Sequence, residues 1–305
     1  MIQIGVQTGG PEEFLGIDGA YRMIAECGFE GVDANVDHLL TSKDVRAKMH
    51  APAFDGDDKT AVEYFRPWKD AAVKYGISNF QAHAPFPSHL VGEDGAYNEY
   101  MMEVLRKTII GCDSMDCHRL VIHPFFQGYP ELDTPEMERE RNLERYARLI
   151  STAKQYGVTL CLENMFVVNR GKVYASCCSD ITRACEYVDE LNRIAGEKLF
   201  GFCVDTGHLL LCSIDIKNAI TELGDRIECF HVHDNNGLND QHVAPYMGLL
   251  DWNRFVDGLR EIGYDKPMCF ETFNIWRTFP EELSPEVMKL ICKTGRMFAE
   301  RAAAK

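Results

Sequence analysis

Histidine, aspartate and glutamate recur at the ends of short apolar segments along this 305-residue chain. Their nitrogen and oxygen atoms can hold a divalent metal ion, and a pair of carboxylates can also transfer protons to and from carbon. The residues concerned are His83, His123, Glu163, Asp205, His208, His231, His233, Asp234 and Glu271. One histidine at a strand end is more often a hydrogen-bonding residue than a ligand, so the prediction rests on the whole set.

The apolar segments alternate with helical patterns along the whole chain. Predicted strands lie at residues 2–7, 31–35, 79–85, 119–124, 158–164, 200–205, 227–234 and 267–272. Predicted helices lie at residues 18–27, 61–75, 97–115, 135–156, 180–195, 214–223, 252–262 and 285–301. Thr134 and Ser284, each followed by proline and glutamate, are predicted N-caps.

Eight units of strand and helix predict a parallel sheet that closes into a barrel. We therefore predict the α/β class and a single (β/α)8 TIM barrel that occupies residues 1–305 as one domain. The alternative, a doubly wound open sheet, is disfavoured because the first turn, QTGGPEEF, lacks the GxGxxG pattern.

A barrel brings all its strand ends to one mouth, so the histidines and carboxylates are expected to converge there. Glu163, Asp205 and Glu271 would repel each other in such a mouth unless a cation neutralised them. A divalent metal ion is therefore predicted. The mixture of oxygen and imidazole ligands suits Mn²⁺, Co²⁺, Zn²⁺ or Fe²⁺ better than Ca²⁺, and the absence of thiolates argues against a structural zinc site.

Charge and composition argue against several classes of binding partner. The formal net charge of −15 and the lack of a Lys/Arg cluster in the predicted loops argue against nucleic acid. The first residues show no signal-peptide pattern, and no segment reaches the roughly 18 apolar residues of a membrane span. The twelve cysteines include no CxxC pair and suit a reducing compartment. We expect a cytoplasmic protein without membrane contact, and homo-oligomerisation stays open.

Four motifs carry a resemblance to a known family. CLEN (161–164), VDTGH (204–208), FHVHD (230–234) and FETF (270–273) resemble, in order and spacing, those of the xylose isomerase-like TIM-barrel superfamily. This superfamily contains sugar isomerases, ketose 3-epimerases and endonuclease IV-type enzymes. The resemblance covers nearly the whole chain and is specific for the superfamily but not for one reaction.

The resemblance to the ketose 3-epimerase branch implies a metal site and a substrate contact. Its implied metal ligands are Glu163, Asp205, His231 and Glu271. His231 rather than His233 is the expected ligand because an acid, Asp234, follows it by three residues. His208 is the implied substrate contact, and His83, His123 and His242 are further predicted substrate contacts. Mn²⁺ is the favoured single ion, with Zn²⁺, Co²⁺ and Mg²⁺ as alternatives.

The predicted reaction is sugar isomerisation or epimerisation by proton abstraction next to a carbonyl. Glu163 and Glu271 are the predicted acid/base pair, because two carboxylates on opposite faces can remove and return the proton. The substrate is predicted to be a small sugar or glycoside without phosphate, since only Gly9 and Gly10 suggest a phosphate loop. The ketose 3-epimerases carry an arginine and an acid at the positions where this chain has Gly237 and Asn169, so substrate recognition must differ from theirs.

Three alternatives remain. A lyase, either a dehydratase or a carbon–glycoside cleaving enzyme, would use the same proton removal. A trinuclear zinc phosphodiesterase of the endonuclease IV type would use His83, His123, Glu163, Asp205, His208, His231, Asp240, His242 and Glu271. A catalytically silent binding protein is the third. Aromatic residues predicted to wall the pocket are Phe86, Phe125, Phe126, Tyr129, Phe166, Phe273 and Trp276.

Overall fold

Eight parallel strands close into a barrel at the centre of the structure, a computed structural model that describes residues 2–90, 92, 95–126 and 134–304. The strands in chain order are β1 Ile4–Gln7, β2 Gly31–Asn35, β3 Ser78–His83, β4 Arg119–Val121, β5 Thr159–Glu163, β6 Phe166–Asn169, β7 Lys172–Ala175, β8 Phe200–Asp205, β9 Ile227–Val232 and β10 Met268–Phe270. The order around the barrel is β1-β10-β9-β8-β5-β4-β3-β2. The predicted (β/α)8 TIM barrel is confirmed.

The barrel strands are buried on both faces, which is why each was recognisable in the sequence as an apolar segment. Two register shifts interrupt the hydrogen-bond ladder of the barrel, one between β2 and β3 and one between β8 and β9. Phe80 is an additional residue of β3 between the pairs Val32–Asn79 and Asp33–Gln81. Such a shift redirects the side chains that follow it, and Asp33 and Gln81 come directly after this one.

Helices cover the outside of the barrel. Those described are α1 Gly9–Glu26, α2 Ser42–Arg46, α3 Pro52–Asp55, α4 Asp58–Tyr75, α5 Ala96–Ser114, α6 Pro135–Tyr156, α7 Ile181–Ala195, α8 Thr206–Leu211, α9 Ile216–Leu223, α10 Trp252–Ile262, α11 Ile275–Thr278 and α12 Ser284–Ala303. None of the helices in the described ranges combines the length and apolarity that crossing a membrane requires.

The two predicted N-caps have different outcomes. Thr134 accepts a hydrogen bond from the backbone N–H of Met137 and caps α6. Ser284 is instead the first residue of α12, and its predecessor Leu283 is already in the right-handed helical region. A turn of 3₁₀ helix at Glu281–Leu283 runs directly into α12, so the helix needs no side-chain cap at Ser284.

Two features of the loops were not predicted. Helix α1 begins at Gly9 rather than at residue 18, and a break at Gly16, with φ of 64°, separates its first turns from the rest. Strands β6 and β7 form an antiparallel hairpin directly after β5. The hairpin brings the ring of Phe166 to 4.9 Å from that of His208, so it covers one side of the barrel mouth.

Candidate active site

All eight predicted site residues lie at the carboxyl-terminal mouth of the barrel, and each is at most 9% exposed. Three of them end strands, one lies within a strand, and three follow a strand end within three residues, whereas His242 lies in the loop after β9, ten residues beyond Val232. The strand residues are His83, Glu163, Asp205 and His231. The others are His123, His208, His242 and Glu271. Residues spread over most of the chain therefore meet in one buried cluster, as the barrel geometry predicts.

The imidazole of His231 is the centre of this cluster. Its Nδ1 lies 2.9 Å from Oε1 of Glu163 and 3.6 Å from Oε2 of Glu271. Its Nε2 lies 3.0 Å from Oδ2 of Asp33, in the middle of β2. The ring is thus held from two sides, with Nδ1 directed at the two glutamates.

A pair of histidines adjoins the other oxygen of Glu163. Nε2 of His123 lies 2.9 Å from Oε2 of Glu163, and Nε2 of His83 lies 3.0 Å from Nε2 of His123. The backbone carbonyl of Ala84 lies 2.7 Å from Nδ1 of His83 and leaves its Nε2 for the cluster. These three side chains form a second group of potential metal ligands beside His231.

The motifs CLEN and VDTGH fix Asp205 and His208. The side chain of Asn164 donates to the carbonyl of Asp205 and accepts from its N–H, which ties the ends of β5 and β8 together. The carbonyl of Asn164 also lies 2.8 Å from Nδ1 of His208. Gly207 is required because a Cβ there would lie 2.0 Å from Cε1 of His233. The motif residues therefore position one another.

His233 supports Asp205. Its Nε2 lies 3.0 Å from the carboxylate of Asp205, and the hydroxyl of Thr206 donates to its carbonyl. His233 thus contacts Asp205, whereas Nδ1 of His231 lies beside the two glutamates.

Asp234 organises the loop after β9. Its carboxylate accepts from the N–H of Leu250 and from the indole Nε1 of Trp252. Gly248 packs so closely that a Cβ there would lie 2.2 Å from the carbonyl of Asn235. Asp234 thus holds the segment DQHVAPYMG (240–248) against the barrel mouth.

This loop presents Asp240 and His242 to the cluster. Oδ2 of Asp240 lies 2.8 Å from Nε2 of His242 and 3.4 Å from Nε2 of His208. The ring of His242 stacks on that of His233, with centroids 4.0 Å apart. His208 and His242 thus both lie beside the carboxylate of Asp240, and further groups of potential ligands combine His233 with Asp205 and His208, or with His242 and Glu271.

The charges in the cluster strongly affect its pKa values. Burial alone would raise the pKa of Glu163, but the positive charges of His231 and His123 outweigh it and hold the pKa well below the usual value. Burial would lower the pKa of His231, yet the carboxylates of Glu271 and Glu163 raise it well above its usual value. Without another cation, the histidines must themselves balance the carboxylates.

The donor set fits a divalent metal ion. Ligand atoms of Asp205, His231 and Glu271 all lie within 4.8 Å of one another. Two ligands of one ion, each bound at about 2.1 Å, stand roughly 3 to 3.5 Å apart, which is close to the spacing around Nδ1 of His231. In addition, the buried Oδ1 of Asp240 accepts no hydrogen bond from any described residue.

Three residues of the cluster were missed by the sequence analysis. Asp33 contacts His231, Gln81 donates its side-chain amide to Asp33, and Gln7 donates to Oε1 of Glu271 at 2.6 Å. Their signal in the sequence is a polar residue inside an otherwise apolar strand segment. A buried polar side chain requires a partner, so such residues mark the interior of the mouth.

A cavity of about 640 Å³ adjoins the cluster on the side of β1 and β2. Of the predicted wall aromatics, Phe86, Phe273 and Trp276 line it. Phe125 is instead fully buried in the core. Tyr129 lies outside the described residues. The cluster therefore has an adjoining space in which a small molecule can bind.

Comparison with known proteins gives matches over most of the chain. The sequence profile of the xylose isomerase-like TIM barrel family matches residues 21–294. An uncharacterized protein of Methanocaldococcus jannaschii is 27% identical over 199 residues, 63% of this chain and 64% of that protein. The D-psicose 3-epimerase of Enterocloster bolteae is 27% identical over 163 residues, 50% of this chain and 49% of that enzyme. The chain thus matches less than two thirds of the length of either relative.

Among solved structures, the IOLI protein with a bound zinc atom is similar, with a TM-score of 0.68 and 16% identity. The similarity covers 99% of this chain and 98% of that one, and at such identity it shows a common fold. The profile match, in contrast, spans most of the sequence and includes all four motifs. The chain belongs to the xylose isomerase-like TIM barrel family.

Proposed function

We propose that this chain is a divalent-metal-dependent epimerase or isomerase of an unphosphorylated sugar or glycoside. It removes a proton from the carbon next to a carbonyl group and returns one to the substrate. The observation that carries the proposal is the approach of Glu163 and Glu271 to the same atom, Nδ1 of His231. Glu163 ends β5 and Glu271 directly follows β10, and β8 and β9 lie between these two strands in the barrel.

Two carboxylates that approach one space from different strands suit a proton transfer between opposite faces of a carbon atom. Glu163 and Glu271 act as this acid/base pair. The amide of Gln7, 2.6 Å from Oε1 of Glu271, orients the second carboxylate. His208, His83, His123 and His242 contact the hydroxyl groups of the sugar, since each has a ring nitrogen near the cluster.

Glu163, Asp205, His231 and Glu271 would hold the metal ion. A bound divalent ion polarises a carbonyl oxygen and so acidifies the adjacent C–H group. Mn²⁺ is the proposed ion, because the set has three carboxylates and one imidazole. The D-psicose 3-epimerase relative supports the class of reaction, and the zinc atom in the IOLI protein supports a metal in this fold.

The test is exchange of substrate hydrogen with solvent. Metal-loaded protein is incubated in D₂O with D-fructose, D-psicose and D-tagatose, and NMR detects deuterium on the carbon next to the carbonyl. We expect exchange with at least one sugar, because proton removal is the proposed first step. Glu163→Gln and Glu271→Gln should each lower the exchange rate about 10³-fold, since the amide cannot accept the proton.

Glu228→Gln is the matched control, because this glutamate lies near the opposite end of β9 and pairs with Lys266. Its exchange rate should equal that of the unaltered protein. The proposal fails if no sugar exchanges, or if either site variant retains the original rate while metal content and fold are intact.

A trinuclear phosphodiesterase is the second candidate, favoured by one observation. Besides Asp205, His231 and Glu271, the potential ligand groups include His83, His123 and Glu163, and also Asp205, His208 and His233. Against this candidate stand the net charge of −15 and the acidic residues Glu12, Glu13 and Asp37 in the wall of the cavity, which together oppose a DNA backbone. A lyase would share the proton removal and differ only in the loss of a β-substituent.

A further inference from the structure

The cavity beside the cluster extends well beyond the proposed proton-transfer residues. It adjoins them at Gln7 and continues along the turns after β1 and β2, where Gly10, Ile17, His38 and Thr41 line it. Its volume of about 640 Å³ is in the range of pockets that take drug-sized ligands. A monosaccharide held at the cluster would therefore leave much of this space open.

Aromatic side chains form the apolar part of the wall. Phe86 lies at the His123 side, with ring centroids 4.7 Å apart, and Phe273 lies at the His242 side, at 4.2 Å. Trp276 and Phe14 line the far part of the cavity. The indole of Trp276 packs directly on Gly10, because a Cβ at that position would lie 2.3 Å from Cδ1 of the ring.

The polar part of the wall is acidic. Glu12, Glu13 and Asp37 line the cavity, and no lysine or arginine is present among its described lining residues. Burial raises the pKa of Glu12 to about 7, although hydrogen bonds from Thr8 and Trp68 partly oppose this shift. Such a wall repels phosphate and other anions and accepts uncharged groups that donate hydrogen bonds.

We propose that this far part of the cavity is a subsite for a flat, uncharged group joined through a glycosidic bond to a carbon of the reacting sugar other than its carbonyl carbon. The inference rests on the proposed function, since it assumes that the sugar ring itself occupies the metal cluster. An aryl group and a second sugar ring share the chemistry required, a flat face with little charge that packs on Phe14 and Trp276.

Binding measurements test the subsite without any catalytic readout. Metal-loaded protein is titrated calorimetrically with methyl and 4-nitrophenyl β-D-pyranosides of glucose, galactose and xylose, and with cellobiose. Within a sugar, the larger aglycone should bind at least about tenfold more tightly than methyl. A gain for the nitrophenyl compounds identifies an aryl subsite, and a gain for cellobiose alone identifies a sugar subsite. No gain for either overturns the proposal.

Single substitutions test which side chains produce the gain in affinity for the larger aglycone. Trp276→Ala should abolish most of it and leave the affinity for the methyl glycosides unchanged. Phe14→Ala, at a side chain that is 56% exposed, should do the same with little risk to folding. Tyr64→Ala, an exposed aromatic on α4 outside the cavity lining, is the control and should retain the full gain.

An aglycone preference that both variants retain overturns the assignment to this cavity. The outcome is separable from that of the proposed reaction, since aglycone preference without hydrogen exchange refutes the reaction alone.

Discussion

At the scale of single residues, Asp33 determines how His231 faces the cluster. Its carboxylate lies 3.0 Å from Nε2, and both residues are fully buried. A histidine that uses one ring nitrogen for a metal usually donates the other N–H to such a carboxylate, which fixes the tautomer and the orientation of the ring. Asp33 is therefore a positioning residue for the proposed metal site.

Replacing Asp33 by Asn should weaken metal binding about 10- to 100-fold, because the charge that favours donation from Nε2 is lost. Competition with a chromophoric chelator measures the metal affinity directly. Asp257→Asn, at an aspartate on α10 that pairs with Arg260 on the surface, should leave the affinity unchanged. Equal metal affinity in the Asp33 variant and the unaltered protein would refute the positioning role.

Asp33 also makes a contact that could not be predicted from the sequence. Its partner His231 lies 198 residues away along the chain, and no local pattern connects the two. Seven of the eight predicted residues were recognisable because each follows or ends an apolar segment, which places it at the mouth, whereas His242 was recognised only through the resemblance to endonuclease IV-type enzymes. Asp33, Gln7 and Gln81 lie in such segments too, but which side chains they contact depends on barrel closure and strand register.

At the scale of elements, the turn from β8 into α8 is the segment where a substitution is expected to disturb the site most. The amide N–H of His208 donates to Asp205 at 2.7 Å, so Asp205 caps the helix while it also faces the cluster. Gly207 leaves room for the ring of His233 in between. One short helix start thus sets the positions of a predicted ligand, a predicted substrate contact and the supporting histidine.

Gly207→Ala should destabilise the protein and disturb the site together. The added Cβ would lie 2.0 Å from the His233 ring, and overpacking of this kind costs about 1 to 3 kcal/mol. Urea unfolding should show the lower stability, and chelator competition should show a lower metal affinity. Gly95→Ala, where a Cβ meets no atom within 4 Å, serves as control. Unchanged values for both properties at Gly207 would show that this packing is not required.

The elements themselves were largely predictable from the sequence, for an identifiable reason. Barrel strands are apolar on both faces and stand out from the amphipathic helices between them. The hairpin of β6 and β7 was missed because most of its side chains are at least partly exposed, so it lacks that signal. Ser284 was mistaken for an N-cap because the preceding 3₁₀ turn cannot be distinguished from a loop in the sequence.

At the scale of the whole molecule, the barrel collects carboxylates at its mouth, and the chain as a whole also has an excess of negative charge. The chain has a net charge of −15, and the mouth gathers the buried carboxylates of Asp33, Glu163, Asp205 and Glu271 and the partly exposed one of Asp240. Buried like charges destabilise the folded state unless counter-charges accompany them. A metal ion at the mouth would connect strand ends from β5 to β10 and relieve this repulsion in the folded state only.

Metal removal should therefore lower the thermal stability of the protein. An ion that binds only the folded state at 100 times its Kd adds about 2.7 kcal/mol, so dialysis against a chelator should lower the Tm by several degrees and Mn²⁺ should restore it.

Elemental mass spectrometry of the same samples counts the ions. For the epimerase we expect about one ion per chain. His242→Ala should then alter the affinity for the substrate and leave the number of bound ions unchanged. Nearly three zinc ions, one of them lost in His242→Ala, would support the phosphodiesterase instead, and a Tm insensitive to both chelator and metal would contradict a metal site.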